Sequence, residues 1–103
     1  MVGKYIGHFL YDSISVSTSA PRLQGVYYCG GLNPQNQLVP LYIGRAKGIA
    51  VTINSRLSDH LRNDNWPGVT HFGYVTCSTD QEAEALEAAE INTYKPRYNT
   101  IGK

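Results

Sequence analysis

The chain contains 103 residues and carries a net charge of +1, which is the size of one domain. No stretch approaches the roughly 18 consecutive apolar residues of a membrane span, and the N-terminus lacks the apolar segment of a secretion signal. We therefore expect a soluble, cytoplasmic protein that does not bind membranes. The balanced charge lacks the strongly basic footprint of a dedicated DNA-binding protein, although it permits a nucleic-acid partner.

The first 24 residues are the least informative part of the sequence. Residues 13–17 alternate polar and apolar side chains, which favours a half-exposed strand, and residues 17–21 have the composition of a loop. We expect an added edge strand at 13–17, with a flexible lead-in as the alternative.

A β-hairpin is predicted next. Residues 25–29 form a β-rich run, residues 32–37 are rich in turn-forming side chains, and residues 38–44 form the answering strand. Pro40 has no N–H to donate, so the second strand should lie at an edge or begin after it. Residues 71–77 predict a third strand.

The region between the hairpin and the third strand predicts a helix over residues 52–63. Its apolar positions recur every four residues, at Ile53, Leu57 and Leu61. Thr52 is the expected N-cap.

A second, acidic helix begins after Thr79, because Thr79 and Glu82 have the spacing of a capping box. Pro96 ends this helix, and residues 98–101 predict an ordered tail or a short strand. The two cysteines, Cys29 and Cys77, fit no metal-site spacing, so we expect two buried thiols rather than a disulfide or a zinc site.

Five short motifs occur in an order and spacing that resemble the GIY-YIG nuclease family. The matching stretches are Gly25-Val26-Tyr27, Tyr42-Ile43-Gly44 continuing to Lys47, Arg56 through His60, Glu84 through Glu87, and Tyr94 through Asn99. Each motif is weak alone, but together they cover about three-quarters of the chain, from residue 25 to residue 100.

The resemblance implies an α+β fold, with a small three-stranded antiparallel sheet flanked by helices and room for the added N-terminal strand. Residues 25–103 would form the nuclease-like domain, and residues 1–24 an N-terminal extension. The implied activity is the hydrolysis of DNA phosphodiester bonds with one divalent metal per active site, Mg²⁺ or Mn²⁺.

Specific residues correspond to the catalytic positions of the family. The resemblance implies that Tyr27 would be the base that activates water and that Tyr42 would orient water or phosphate. Arg56 would stabilise the phosphorane, for which a planar guanidinium is well suited. His60 is the rival base, because its ordinary pKa near 6.5 suits proton transfer better than a phenol's value near 10.

The resemblance makes Glu87 the metal ligand. By spacing alone Glu84 and Glu90, three residues to either side on the same helix, are rival ligands. Phosphate contacts are predicted from the following residues: Gly44, Arg45, Lys47 and Asn99. For Asn99 we favour a structural role, in which its amide ties the tail to the sheet or helix.

A function without catalysis is the alternative. In that hypothesis the chain is a nucleic-acid-binding or protein-interaction module that keeps the fold. The DNA target and the pathway (repair, restriction or recombination) stay open, as do a homodimer and recruitment by a DNA-binding partner protein.

Overall fold

The computed structural model describes residues 2–47, 50–64 and 66–100. In these ranges four strands and four helices follow one another along the chain. Their order is β1 (Ile6–Leu10), α1 (Ser13–Ser19), β2 (Gly25–Leu32), β3 (Leu38–Ala46), α2 (Ile53–Asn63), β4 (His71–Thr76), α3 (Asp80–Tyr94) and α4 (Arg97–Thr100). No helix of the described ranges is long and apolar enough to cross a membrane.

The four strands form one antiparallel sheet in the order β1-β4-β2-β3. The predicted α+β class, with an antiparallel sheet flanked by helices and an added strand, is confirmed. Strand β3 lies at an edge of the sheet. Pro40 on β3 pairs with Gly30 on β2, and the β2–β3 register shifts next to this pair, between Cys29 and Gly30. An edge strand can leave this proline unpaired on one side, as expected.

The position predicted for the added strand is wrong, because residues 13–17 belong to helix α1 and the strand is residues 6–10. The Asp12 side chain accepts a hydrogen bond from the Ser15 backbone N–H at 2.7 Å and caps the helix. Val16 is buried, whereas Ile14 is 75% exposed. A strong N-cap therefore outweighs a period-2 pattern with a single buried apolar residue.

The two faces of the sheet bury different sets of side chains. Tyr27, Phe72 and other residues of one face pack with α1 and α2. Val26, Ile43 and other residues of the opposite face pack with Ala83 of α3. Alternation along each strand thus sends neighbouring residues to two separate apolar clusters.

The predicted helix starts are found in the structure. Thr52 caps α2, with the reciprocal Thr52–Ser55 bonds of a capping box. Thr79 caps α3, but the Glu82 side chain accepts from the Ser78 N–H rather than from the cap residue. Cys29 and Cys77 are free, buried thiols.

The C-terminal segment corrects another expectation. Lys95 adopts a left-handed conformation at the end of α3, and residues 97–100 then form the short helix α4 instead of a strand. Residue 101 lies outside the described ranges.

Candidate active site

A cleft of about 570 Å³ lies where β3, α2 and α3 meet. Six of the predicted site residues line it: Tyr27, Tyr42, Arg45, Lys47, Arg56 and Glu87. Helix α2 packs on one face of the sheet and α3 on the other. The cleft is therefore formed at the edge strand, where both helices can present polar side chains to the same space.

Tyr27 is fully buried at the base of this cleft. Its partner across the β2–β3 ladder is Gly44. A Cβ atom at Gly44 would lie only 2.4 Å from both Cζ and Oη of Tyr27, well inside the usual 3.5–4.0 Å contact distance between carbon atoms. Gly44 itself does not line the cleft among the described residues, so its effect on the site is to make space for the phenol.

His60 lies behind Tyr27 and connects it to an acid. The Tyr27 hydroxyl is 2.8 Å from His60 Nε2, and His60 Nδ1 is 2.7 Å from Asp64 Oδ2. A carboxylate can only accept, so Nδ1 carries the proton and Nε2 is left to accept from the phenol. The arrangement Asp64–His60–Tyr27 thus aims the lone pair of a neutral imidazole at the phenolic proton.

The environment of this pair fixes its protonation. Burial lowers the pKa of His60 below its ordinary value, and the nearby Arg56 charge adds to this effect, whereas the hydrogen bond that His60 donates to Asp64 opposes it. Burial likewise raises the pKa of Tyr27 well above 10, with Tyr42 adding to the rise and Arg56 opposing it. Both groups are therefore neutral near pH 7, and ionising Tyr27 requires a nearby proton acceptor.

Arg56 reaches the cleft from α2. Its side chain is 37% exposed and lies 3.8 Å from Asp59 at their closest atoms. Residues 48 and 49 lie outside the described ranges. Burial raises the pKa of Tyr42 and the Arg56 charge opposes that rise, which places the guanidinium near both tyrosines.

The structure separates the three glutamates of α3 that spacing alone made rivals. Glu87 lines the cleft, and its charge raises the pKa of Tyr42. Glu84 is 69% exposed and pairs with Arg45 at 3.3 Å. Glu90 accepts a hydrogen bond from Tyr28 at 2.7 Å on the sheet face that packs with α3. Glu87 is the one of the three that shares the cleft with Tyr27.

The donor set suits a hard divalent cation. Within the described part of the chain there is no cluster of three or more His, Cys, Asp or Glu side chains that could hold a metal. Mg²⁺ needs no such cage, because it is usually held by one or two carboxylates with water and substrate phosphate. Arg45 lies 3.5 Å from Glu87, so the carboxylate has a cationic side chain beside it.

An aromatic stack closes the side of the site next to His60. Trp66 stacks on Tyr42 and contacts His60, both at 4.6 Å between ring centroids. Tyr98 stacks on Trp66 at 6.1 Å. Trp66 therefore packs at the end of α2, with Tyr42 and Tyr98 stacked against it.

Asn99 lies away from the cleft lining. Its amide nitrogen donates to the Ile43 carbonyl, and its amide oxygen accepts from the Ile43 N–H, both at 2.8 Å. The side chain is buried and both ends are satisfied by one β3 residue. The amide therefore holds α4 against the strand that carries Tyr42 and Gly44.

The chain is similar to known proteins in both sequence and fold. It is 29% identical over 99 residues to UvrABC system protein C of Petrotoga mobilis and 28% identical over 96 residues to that of Bacteroides thetaiotaomicron, which covers 86% and 85% of this chain. A solved structure, the GIY-YIG N-terminal endonuclease domain of UvrC from Thermotoga maritima bound to its catalytic magnesium, matches with a TM-score of 0.67 and 27% identity. That match covers 84% of this chain and 93% of the solved chain. The resemblance to the GIY-YIG family is confirmed.

The sequence matches cover a small part of each relative. The chain spans only 16% and 14% of the lengths of the two UvrABC system C proteins. No protein-family model matches the chain.

Sequence reasoning missed Asp64 as a neighbour of the candidate site. The Asp64 carboxylate lies 2.7 Å from His60 Nδ1 and bonds to it. The signal that could have found it is its spacing, because residues i and i+4 are neighbours on a helix surface. Asp59 and Ser55, which also line the cleft, lie on the same helix.

Proposed function

We propose that this chain is a metal-dependent endonuclease domain that hydrolyses DNA phosphodiester bonds. The observation that carries the proposal is the convergence of Tyr27, Arg56 and Glu87 on one cleft, in a domain whose fold matches that of a GIY-YIG endonuclease. Hydrolysis of a phosphodiester requires an activated water, charge stabilisation of the phosphorane and help for the leaving oxygen.

Water activation falls to Tyr27 with His60 behind it. As the phenol oxygen takes a proton from water, the phenol passes its own proton to His60 Nε2, and Asp64 stabilises the resulting imidazolium. The hydroxide formed attacks phosphorus, and the leaving oxygen takes a proton from solvent. This route avoids a free phenolate, whose formation burial makes unfavourable. Tyr27 and His60 thus act in series, and neither is the sole base.

Access to Tyr27 depends on the side chains above it. Tyr27 has no exposed surface, whereas Arg56 is partly exposed and Tyr42 is half-buried. We infer that Arg56 moves from its position beside the phenols toward a bound phosphate, which admits a single water to the base of the cleft. Exclusion of bulk water then strengthens every charge interaction within it.

Charge in the cleft favours a phosphate ligand. Three cationic residues line it (Arg45, Lys47 and Arg56) against two carboxylates, Glu87 and Asp59. Arg56 is the group for the phosphorane oxygens, and Arg45 and Lys47 would hold the flanking phosphates.

Glu87 would hold the divalent cation, Mg²⁺ or Mn²⁺, one per site. When bound, such a cation supplies positive charge to the phosphate and to the leaving oxygen.

The experiment is nicking of supercoiled plasmid DNA with Mg²⁺ or Mn²⁺ and without metal. Wild type should nick in a metal-dependent way, and Glu87→Gln and Tyr27→Phe should each lower the rate by about 100-fold or more, the usual effect of losing an acid–base or charge-stabilising group. Glu90→Gln is the matched control, because it makes the same change on the same helix outside the cleft, and it should nick like wild type.

Two results would contradict the proposal. If Glu87→Gln or Tyr27→Phe nicks as fast as wild type, the site assignment is wrong. If the wild type binds DNA or a partner protein without cutting in either metal, the chain is an interaction module that keeps the fold. The expectations of a homodimer, of recruitment by a DNA-binding partner and of a cytoplasmic location stay proposals beside this one.

A further inference from the structure

A second concave surface lies on the sheet face opposite Tyr27. Helix α3 packs over β2 and β3 there, and a groove of about 550 Å³ remains beside it, next to the N-terminal segment. Three tyrosines, two aliphatic residues and one acid are central to its lining: Tyr5, Tyr28, Tyr94, Val75, Leu86 and Glu90. We call this surface the tyrosine groove.

Gly73 on β4 makes room for one of the rings that line the tyrosine groove. A Cβ atom at Gly73 would lie 2.0 Å from Oη and 2.4 Å from Cζ of Tyr5, so the Tyr5 ring lies directly against the backbone of β4. Tyr28, which pairs with Gly73 in the sheet, meets Tyr5 edge-on with 5.5 Å between ring centroids. Tyr5 and Tyr94 stay 44% and 53% exposed, so a ligand can reach both.

The charge of the groove is negative. Glu90 accepts the Tyr28 hydroxyl hydrogen bond at 2.7 Å, which leaves its second oxygen open to a further donor. Among the described residues that line the groove, Glu90 is the only carboxylate, and none is Lys or Arg. Aromatic rings attract cations through their negative faces, and a carboxylate beside them adds to that attraction.

We propose that the tyrosine groove binds a lysine or arginine side chain presented by a partner protein. Apolar walls suit the methylene stem of such a side chain, and the tyrosines with Glu90 suit its charged end. The same carboxylate disfavours nucleic acid, whose phosphates it would repel. This proposal is independent of the nuclease proposal, since Glu90 and the tyrosine groove lie outside the cleft.

The test is an NMR titration of the ¹⁵N-labelled chain with three blocked tripeptides, Gly-Lys-Gly, Gly-Arg-Gly and Gly-norleucine-Gly. Norleucine keeps an aliphatic stem without the charge. The lysine or arginine peptide should shift the backbone amides of Tyr5, Tyr28 and Glu90, with an affinity about tenfold or more above that of the norleucine peptide. Equal affinity for all three peptides, or shifts that do not localise to the groove, would overturn the proposal.

Two matched variants sharpen the result. Glu90→Gln keeps a hydrogen-bond acceptor for Tyr28 but removes the charge, so it should weaken cation binding about tenfold. Glu84→Gln makes the same change two turns earlier on α3, outside the groove, and should bind like wild type. Equal weakening in both variants would show an effect of net charge alone, and tighter binding of a single-stranded oligonucleotide to the groove would show a nucleic-acid site. Either result refutes the proposal.

Discussion

Replacing Gly44 by alanine tests whether the glycine exists to make space for Tyr27. The added Cβ would lie 2.4 Å from two atoms of the phenol, which is more than 1 Å inside ordinary contact. The ring cannot easily step aside, because it is fully buried and its hydroxyl is bonded to His60. Backbone strain does not contribute, since Gly44 is not among the glycines with positive φ.

The expected cost follows from these two contacts. Overpacking a core by a methyl group costs about 1–3 kcal/mol, and a lost hydrogen bond costs about 0.5–1.5 kcal/mol. Gly44→Ala should therefore lower the free energy of unfolding by about 1.5–4.5 kcal/mol. A displacement of the phenol by about 1 Å should also slow nicking by about 100-fold.

Urea unfolding in two backgrounds separates this cause from a general effect of alanine in a strand. Tyr27→Leu removes Cζ, Oη and Cε1, the three atoms that approach the new methyl group. Gly44→Ala should be costly in wild type and nearly neutral, or stabilising, in the Tyr27→Leu chain. The reasoning is refuted if Gly44→Ala costs under about 1 kcal/mol in wild type, or if its cost is the same in both backgrounds.

The other predictions concern His60 and Asp64. Asp64→Asn keeps a hydrogen bond to Nδ1 but favours the opposite tautomer, so kcat for nicking should fall about 10²–10⁴-fold with little change in KM; unchanged kcat would remove Asp64 from the mechanism. Stability should depend on pH through His60, because burial lowers its pKa in the folded state below the ordinary value of about 6.5. The unfolded chain then binds the proton more readily, so this stability is present above pH ~6.5 and is lost as pH falls through the folded value. The urea midpoint should drop between pH 7.5 and 5.5 more in wild type than in His60→Gln, and equal drops would contradict the argument.

Local signals predicted much of the fold. Thr52 and Thr79 marked two helix starts correctly because an N-cap acts within a few residues and needs no tertiary information. The same physics explains the error at residues 13–17. There the side chain of Asp12 caps a short helix, and alternation with few apolar residues cannot distinguish an exposed strand from a short helix. The true edge strand at 6–10 depends on pairing with β4, which is remote in sequence.

The site was predictable as a set of residue types, whereas its connections were not. Tyr27 and His60 are 33 positions apart, and the hydrogen bond between them depends on how α2 crosses the sheet. In the proposed mechanism this contact matters, because it would make two rival bases consecutive members of one proton path. The partner of Asn99 was also not predictable. Its side-chain amide bonds to the backbone of Ile43, and a motif of side chains cannot identify a backbone partner.

Two glutamates of helix α3, Glu87 and Glu90, lie about one turn apart and have different surroundings. Glu87 lines the cleft at β3 with Arg45 beside it, and Glu90 lines the tyrosine groove with Tyr28 bonded to it. A helix places residues three apart on neighbouring but distinct directions, about 60° from each other. Alternation along β2 also sends Tyr27 and Tyr28 to opposite faces of the sheet. The cleft and the tyrosine groove therefore share helices and strands but no side chains. Substitutions at one surface should therefore leave the other intact, which makes the nuclease and docking proposals separable by experiment.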